Sequence, residues 1–482
     1  MNKTLNILSG FDKSLNLRFD KFINSEFFEC QNYIKNFYYE LIKFKNKNEL
    51  LTSDKKLIFN NLYPGIKYKD ITFRKLSSEL LKHIKKFLSY LEYENDLYTS
   101  KINFSKQLKK RGFNEYALLE LNKTEKKITN DVYSIKNLYN DFTIAMEEMT
   151  TPLKSIQFDE LNHINKVEKK LITYTFIEFL DFYSHLLHQS KYIHKQTHNY
   201  YLLKPVLNFL KKHRNYIDNP YVILFYYKIL IYTDPGNITN YNNLKNLYFE
   251  LINRLNKTTI NNIFAVLHSY INEKILEGDK KFLKDKGELF SNVLFQNNIS
   301  LNINFVLIFL SVETFLQLKD FNKAEKIIEK FSASLPVNLK DDSINLCNAA
   351  IHFYKNEFGE TLELLSRIRS NEYFFNMKIK DFQLLIFIQT KSWENALSLI
   401  KTYKVFLKKN SKLADSYKLP PLNFCKACEY LIKMEVQYNS NLELKFVKLL
   451  KNNKYIAYKW WLEIKFKELN KNDKKNNKFI RK

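Results

Sequence analysis

The chain has 482 residues, of which 45% are hydrophobic and 16% aromatic, and it carries a formal net charge of +26. That length exceeds one compact core, and so apolar a composition excludes a disordered chain. Only 7 glycines and 8 prolines occur, which argues against a turn-rich β fold and for long helices joined by short polar loops.

The charge invites a nucleic-acid reading that its distribution weakens. Of the basic residues, 69 are Lys and only 8 are Arg, although Arg is the better group for bidentate phosphate and guanine contacts. Lys, Asn, Ile, Phe and Tyr are all abundant, as in proteins of A+T-rich genomes, so part of the excess reflects coding bias. Residues 401–482 hold 21 Lys and Arg against 7 Asp and Glu, whereas residues 301–400 are close to neutral. A general polyanion-binding surface is therefore not implied.

The opening MNKTLNILSGFDKS has no apolar core of signal-peptide length. The apolar runs at 221–232 and 305–310 are shorter than a membrane span, and the segment 171–187 is interrupted by Glu178 and Asp181. With 4 cysteines, a disulfide framework is not expected. The expectation is a cytoplasmic protein with no transmembrane segment.

In chain order, residues 1–50 read as one or two helices, and the polar break KNKNELLTSD leads to a short helix at 54–62 with Ser53 as its N-cap. The loop 63–70 delivers a strongly patterned helix over 71–91. Phe73, Leu76, Leu80, Ile84, Phe87 and Leu91 form its apolar stripe, with Arg74, Lys75, Lys82, Lys85 and Lys86 on the exposed faces. This short helix, loop and basic helix are similar to the helix-turn-helix half of winged-helix regulators, some of which carry tetratricopeptide-like repeats. The basic residues would then reach phosphates. The loop is long for that motif, however, and no strand pair for a wing is evident. The plainer reading is a lysine-coated surface helix.

Helices continue over 100–149 and stop near Thr151-Pro152. Another helical stretch runs over 160–215, with a break expected at Pro205, and Asn219-Pro220 and Asp234-Pro235-Gly236 punctuate the next pair. Glu178, Asp181, His185 and His188 share one stripe, and His194 and His198 follow at i, i+4 spacing. Such groups can bind a divalent metal. The rest of that helix is apolar, so a solvent-facing polar edge is the simpler expectation. Cys425 and Cys428 form a CxxC without a second ligand pair, and read as small apolar residues of a packed helix after Pro420-Pro421.

Three segments, DFNKAEKIIEKF (320–331), EFGETLELLSRI (357–368) and KSWENALSLIK (391–401), align on Phe321, Phe358 and Trp393, which lie 37 and 35 residues apart. Each aromatic is followed at +3 by a small residue (Ala324, Thr361, Ala396), at +7 by an aliphatic (Ile328, Leu365, Ile400) and at +10 by an apolar group (Phe331, Ile368, Tyr403). These positions share one helix face, and a small residue there lets a neighbouring helix approach. A second apolar segment precedes each copy, so the period holds two helices.

This pattern resembles the tetratricopeptide repeat over residues 301–410, with Pro336 where such repeats often carry a proline. His352 replaces the usual aromatic of the second copy, and the last two copies lack the proline. A weaker copy is expected at Gly112-Phe113, with Tyr116 at +3. The blocks LYPGIKYKDITFRKLSSELLKHIKKFL (62–88), LPVNLKDDSINLCNAAIHFYKNEFGETLELLSRI (335–368) and WWLEIKFKEL (460–469) also resemble a family of bacterial helical-repeat proteins. That resemblance implies a fold and brings no activity.

The expected fold is therefore all-α, a right-handed, tetratricopeptide-like α-solenoid with a helix-turn-helix-like segment at 53–91. Its regions would be an N-terminal helical part (1–150), a helical middle (151–300), repeats with capping helices (301–469) and a disordered basic tail (470–482). No phosphate-binding glycine loop, HExxH or GxSxG is present. The expected role is a non-catalytic scaffold or adaptor for a protein or peptide, without cofactor or metal. A nucleic-acid-binding regulator reading DNA through 53–91 is the alternative. Membrane-surface association through the aromatic-basic segment 454–469 ranks below both, since that segment reads more simply as a terminal capping helix.

Overall fold

A computed structural model describes residues 3–44, 51–152, 160–193, 199–213, 219–295, 303–409, 415–437, 439–453 and 455–479. Among these residues the fold is all-α: there are 23 α-helices and no strand, and one isolated bridge joins Tyr133 and Leu255. The helices are α1 (Lys3–Ser9), α2 (Lys13–Asn24), α3 (Asn32–Ile42), α4 (Thr52–Leu62), α5 (Asp70–Asn95), α6 (Leu97–Lys110), α7 (Asn114–Asn130) and α8 (Ile135–Met149). There follow α9 (Glu160–His188), α10 (Leu203–Lys212), α11 (Pro220–Thr233), α12 (Ile238–Leu251), α13 (Lys257–Glu277), α14 (Lys281–Phe295), α15 (Phe305–Gln317) and α16 (Phe321–Phe331). The last are α17 (Val337–Tyr354), α18 (Phe358–Ser366), α19 (Tyr373–Gln389), α20 (Trp393–Lys409), α21 (Asp415–Val436), α22 (Ser440–Asn452) and α23 (Lys459–Phe479). The chain divides into two compact units, one of Met1–Thr129 with Thr143–Glu160 and one of Asn130–Phe142 with Leu161–Lys482.

In the first unit, Asp12 caps α2 by accepting the Leu15 N–H at 2.7 Å. The core is aromatic. Phe19 meets Tyr38 edge-on with centroids 5.1 Å apart, and Phe37 meets Phe73 likewise at 5.3 Å, the arrangement that ring quadrupoles favour. On α5, Phe73, Leu76, Leu80, Ile84 and Phe87 are buried and Leu91 is half-buried, as the periodicity predicts. Ser53 is not the cap of α4. The helix starts at Thr52, so Ser53 lies inside its first turn, and the Asp54 carboxylate reaches back to accept the N–H of the N-cap residue Leu51 at 3.0 Å, the acid half of a capping box.

In the second unit, asparagine caps recur: Asn219, Asn237, Asn256 and Asn304 each accept a backbone N–H of the first turn of α11, α12, α13 and α15. Just ahead of Pro205 the stretch 160–215 is interrupted at residues 199–202, and the proline breaks no helix itself. It lies in the first turn of α10, where its missing N–H would have had no helical partner. Pro420 and Pro421 do not precede a helix but sit inside α21. The carbonyls four residues before them lose their helical donors there, and the Pro420 carbonyl accepts the Ala457 N–H at 3.1 Å. At the other end, α23 runs on to Phe479, into the stretch expected to be unstructured.

Three helix pairs turn alike. α15 packs on α16 and α17, α17 on α18 and α19, and α19 on α20 and α21. The first helix of each pair ends in a left-handed residue: Lys319 (φ 61°), Asn356 (φ 64°) and Lys391 (φ 58°). The next N–H reaches back across the turn, from Asp320 to the Phe315 carbonyl (2.8 Å), Glu357 to His352 (2.9 Å) and Ser392 to Phe387 (2.8 Å). This is the Schellman closure, which satisfies carbonyls that a helix end otherwise leaves open.

Phe321, Phe358 and Trp393 then open the second helices, each half-buried, while Ala324, Thr361 and Ala396 are fully buried. The Thr361 hydroxyl donates to the Glu357 carbonyl at 2.9 Å, which satisfies its polar atom. Around the left-handed Gly112 the expected register shifts by one. Phe113 and Tyr116 are exposed and Ala117 is the buried small residue, at the distance from the left-handed residue that Ala324 keeps from Lys319.

Ala396→Leu should therefore lower the urea midpoint by about 1–3 kcal/mol of stability through overpacking. Ser398→Leu, on the exposed side of α20, should stay within about 0.5 kcal/mol of the parent. Equal effects would show that the small residue is not a packing requirement.

Candidate functional site

A cavity of ≈ 290 Å³ opens within the second unit, lined by α13, α14, α15, α19, α21 and the segment 455–460. Its floor is a network of buried charges. Glu313 on α15 and Lys378 on α19 pair through both carboxylate oxygens, at 3.0 and 3.1 Å. The Lys378 ammonium also donates to the Tyr458 hydroxyl at 3.3 Å, and that hydroxyl donates to Asp381 Oδ2 at 3.3 Å. Tyr403, on α20, donates to Asp381 Oδ1 at 2.7 Å. Glu313, Lys378 and Asp381 are all buried. Burying a charge is costly unless it is paired and hydrogen-bonded, so the network constrains how these helices meet.

The segment 455–460 is fastened across the cavity at several points. Tyr455 donates to Glu273 Oε1 at 3.3 Å, and Lys191 pairs with Oε2 of the same carboxylate at 2.7 Å. Asn423 donates to the Tyr455 carbonyl at 2.8 Å, and Lys459 to the Glu277 carbonyl at 3.1 Å. Tyr458 adopts a left-handed backbone (φ 52°), a strain that its hydroxyl contacts hold in place.

Burial raises the Asp381 carboxyl to about 6, against the opposing pull of Lys378 and the Tyr403 hydrogen bond. Burial also lowers the Lys286 ammonium to about 8, with Glu313 opposing and Lys378 reinforcing the shift. Lys286 is 8% exposed and, among the described residues, makes no ion pair or hydrogen bond.

None of these residues was singled out in the sequence. The signal was present in part. Glu313 interrupts the apolar run FVLIFLSVETFLQ, and Lys378 and Asp381 sit at i, i+3 in the apolar helix YFFNMKIKDFQLLIFIQ, where a lone charge implies a buried partner.

The residues that were singled out lie elsewhere. Arg74, Lys75, Lys82, Lys85 and Lys86 are all exposed on α5, and Arg74 pairs with Asp70 at 2.6 Å. At about 100° per residue they share an arc of about 120° opposite the buried stripe. Asp181 accepts from the buried Lys228 at 2.5 Å, and His188 Nδ1 meets the Tyr232 hydroxyl at 2.9 Å. That half of the stripe faces α11 rather than solvent, while Glu178 and His185 are exposed. Burial lowers His188 to about 4. His194 and His198 lie outside the described residues.

Among the described residues no group of three or more His, Cys, Asp or Glu is arranged to hold a metal ion. Cys425 and Cys428 are buried free thiols pushed up by burial, and so are poor nucleophiles and poor ligands. Trp461, Leu462 and Leu469 are buried in the core of the second unit, so this part of 454–469 is packing rather than free surface. No described helix is long and apolar enough to cross a membrane.

Comparisons with protein-family models, curated proteins and solved structures find no match to this chain.

Glu313→Gln leaves the Lys378 charge buried without its counter-charge and should cost about 3–5 kcal/mol in chemical denaturation. The pH dependence follows from linkage. Asp381 titrates near 6 when folded against 3.8 when free, so its contribution is present below pH 3.8 and is lost as pH rises through about 6. Asp381→Asn should flatten the stability curve between about pH 4 and 6. Lys286 titrates near 8 against 10.5 when free, so its contribution is present above pH 10.5 and is lost as pH falls through about 8. Lys286→Met should raise stability at pH 7, and unfolding curves at several pH values check both.

Proposed function

We propose that the chain is a non-catalytic helical-repeat binding protein, a scaffold or adaptor. In this reading α15–α20 are three tetratricopeptide-like pairs stacked as a right-handed solenoid, and a protein or peptide docks on the side formed by the first helix of each pair. The observation that carries it is the recurring turn. At spacings of 37 and 35 residues, the same left-handed residue, back-reaching N–H, half-buried aromatic and buried small residue return. Equal units stacked at a fixed period present like helices along one side. α15 and α19, both first helices, contribute to the cavity wall.

The buried carboxylates are committed to lysines and phenols, which supports binding over chemistry. The same reading takes the protein as cytoplasmic and includes its resemblance to the bacterial helical-repeat family. Tyr417, exposed at the cavity, is the natural point of entry. Affinity capture from the native cell should recover a protein that binds the parent chain directly on re-purification and is lost with Tyr417→Asp. A direct partner retained by that variant would move the docking surface elsewhere, and no direct partner would contradict the reading.

A second reading, a nucleic-acid-binding regulator, is favoured by the one-sided basic arc of α5. Duplex DNA binding through it would weaken with salt by a log–log slope of about −0.9 per phosphate neutralised. Replacing Lys82, Lys85 and Lys86 with Gln should flatten the slope. The expected outcome is an unchanged slope in that variant, with any weak binding abolished instead by deleting residues 470–482.

A further inference from the structure

A lone, largely buried ammonium on a cavity wall is a costly arrangement. Burying a charge without a partner opposes folding by more than a typical hydrogen bond contributes. Lys286 lies on α14 with 8% of its surface exposed, and no described carboxylate, carbonyl or hydroxyl accepts from it. Its nitrogen is not among the polar atoms sealed from solvent without a partner, so it keeps access to open space, and the space it lines is the cavity.

The neighbouring charges are already spent. Glu313 is held by Lys378, Glu273 by Lys191 and Tyr455, and Asp381 by Tyr403 and Tyr458. Lys459, whose nitrogen rests on the Glu277 carbonyl, and the first turn of α23 border the same space, and the N-terminal end of a helix favours negative charge. The remaining wall includes Leu276, Leu310, Met377, Pro421 and Trp460. A few polar groups set in such an apolar wall are the usual composition of a small-molecule site.

We propose that this cavity receives a small organic monocarboxylate, its carboxylate on Lys286 and its apolar body against Leu310, Met377 and Trp460. The charge count selects a monoanion. Three carboxylates line the cavity and no arginine does, so a phosphate dianion would meet more repulsion and lack the planar fork that suits it. The cavity opens beside Tyr417, on the docking side proposed above, but binding of the small anion rests on Lys286 and the apolar wall and does not need a macromolecular partner.

The test is calorimetry on the full chain with hexanoate, hexan-1-ol and inorganic phosphate. Hexanoate should bind one to one and about tenfold or more tighter than hexanol, the discrimination a charged hydrogen bond supplies, and phosphate should not bind. Lys286→Met should reduce hexanoate to the affinity of hexanol and leave hexanol unchanged. Met377→Trp should exclude both.

A measurement on the unaltered chain stands beside the variants. Hexanoate affinity should fall between pH 7 and 9.5 as Lys286 loses its proton, while hexanol affinity stays level. The charged or titratable groups close to Lys286 or on the same cavity wall are His268 and Glu273 on α13, Glu313 on α15, Lys378 and Asp381 on α19, Tyr417 on α21, and Tyr455, Tyr458 and Lys459. Of these, His268 and Asp381 titrate near 3 and 6, below that window, and Glu313 and Lys378 hold each other as a pair. Equal affinity for hexanoate and hexanol, phosphate binding as tight as hexanoate, a Lys286→Met variant that still prefers hexanoate, or a flat pH profile would each overturn the proposal.

Discussion

The Lys378 ammonium is sealed between α15 and α19, and nothing but a counter-charge can make that tolerable. Glu313 supplies it from the facing helix, 65 residues away in sequence, and the pair is completed by Tyr458 from the segment that precedes α23. Asp381, one turn further along α19, takes the Tyr458 and Tyr403 hydroxyls. Four parts of the chain (α15, α19, α20 and 455–460) therefore meet at one set of polar atoms that must all be satisfied together. Apolar packing alone would tolerate sliding of one helix along another, whereas a buried ion pair with directional partners fixes the register.

The turns between paired helices impose a second, local constraint. A left-handed residue closes α15, α17 and α19 and sets the direction in which each partner helix leaves. The buried Ala324, Thr361 and Ala396 then let that helix lie close. Lys319 and Lys391 occupy these positions without the freedom of glycine, at a cost of roughly 1–2 kcal/mol each, which the closing hydrogen bonds and the packed partner helix offset. The pairs are alike because the same geometric problem has the same solution at each step.

Much of this was legible in the sequence. The α5 stripe, the all-α class and the aromatic-small spacing at 321, 358 and 393 depend on local periodicity, and periodicity survives into structure. The cap of α4 was misread because the helix begins one residue before Ser53, which places the serine inside the first turn. The prolines of α21 were misread because both fall early in a helix that begins five residues before Pro420, so they cost few helical hydrogen bonds. The cavity was not legible. Lys286, Glu313, Lys378, Asp381 and Tyr458 converge only through tertiary packing, and no spacing rule connects positions on α14, α15 and α19 with a residue in the final loop. Their only trace is Glu313 in the apolar run of α15 and Lys378 with Asp381 in that of α19; Lys286 sits in a charged helix and leaves none.

The claim that the Glu313–Lys378 pair organises the second unit is tested most directly by a double-mutant cycle. Glu313→Gln, Lys378→Met and the double variant would be compared by equilibrium denaturation. Removing both charges removes both desolvation costs together, so the double variant should be markedly more stable than the sum of the single losses predicts. Losses that simply add, within about 0.5 kcal/mol, would contradict the account, because they would mean that the two residues stabilise the fold independently of one another.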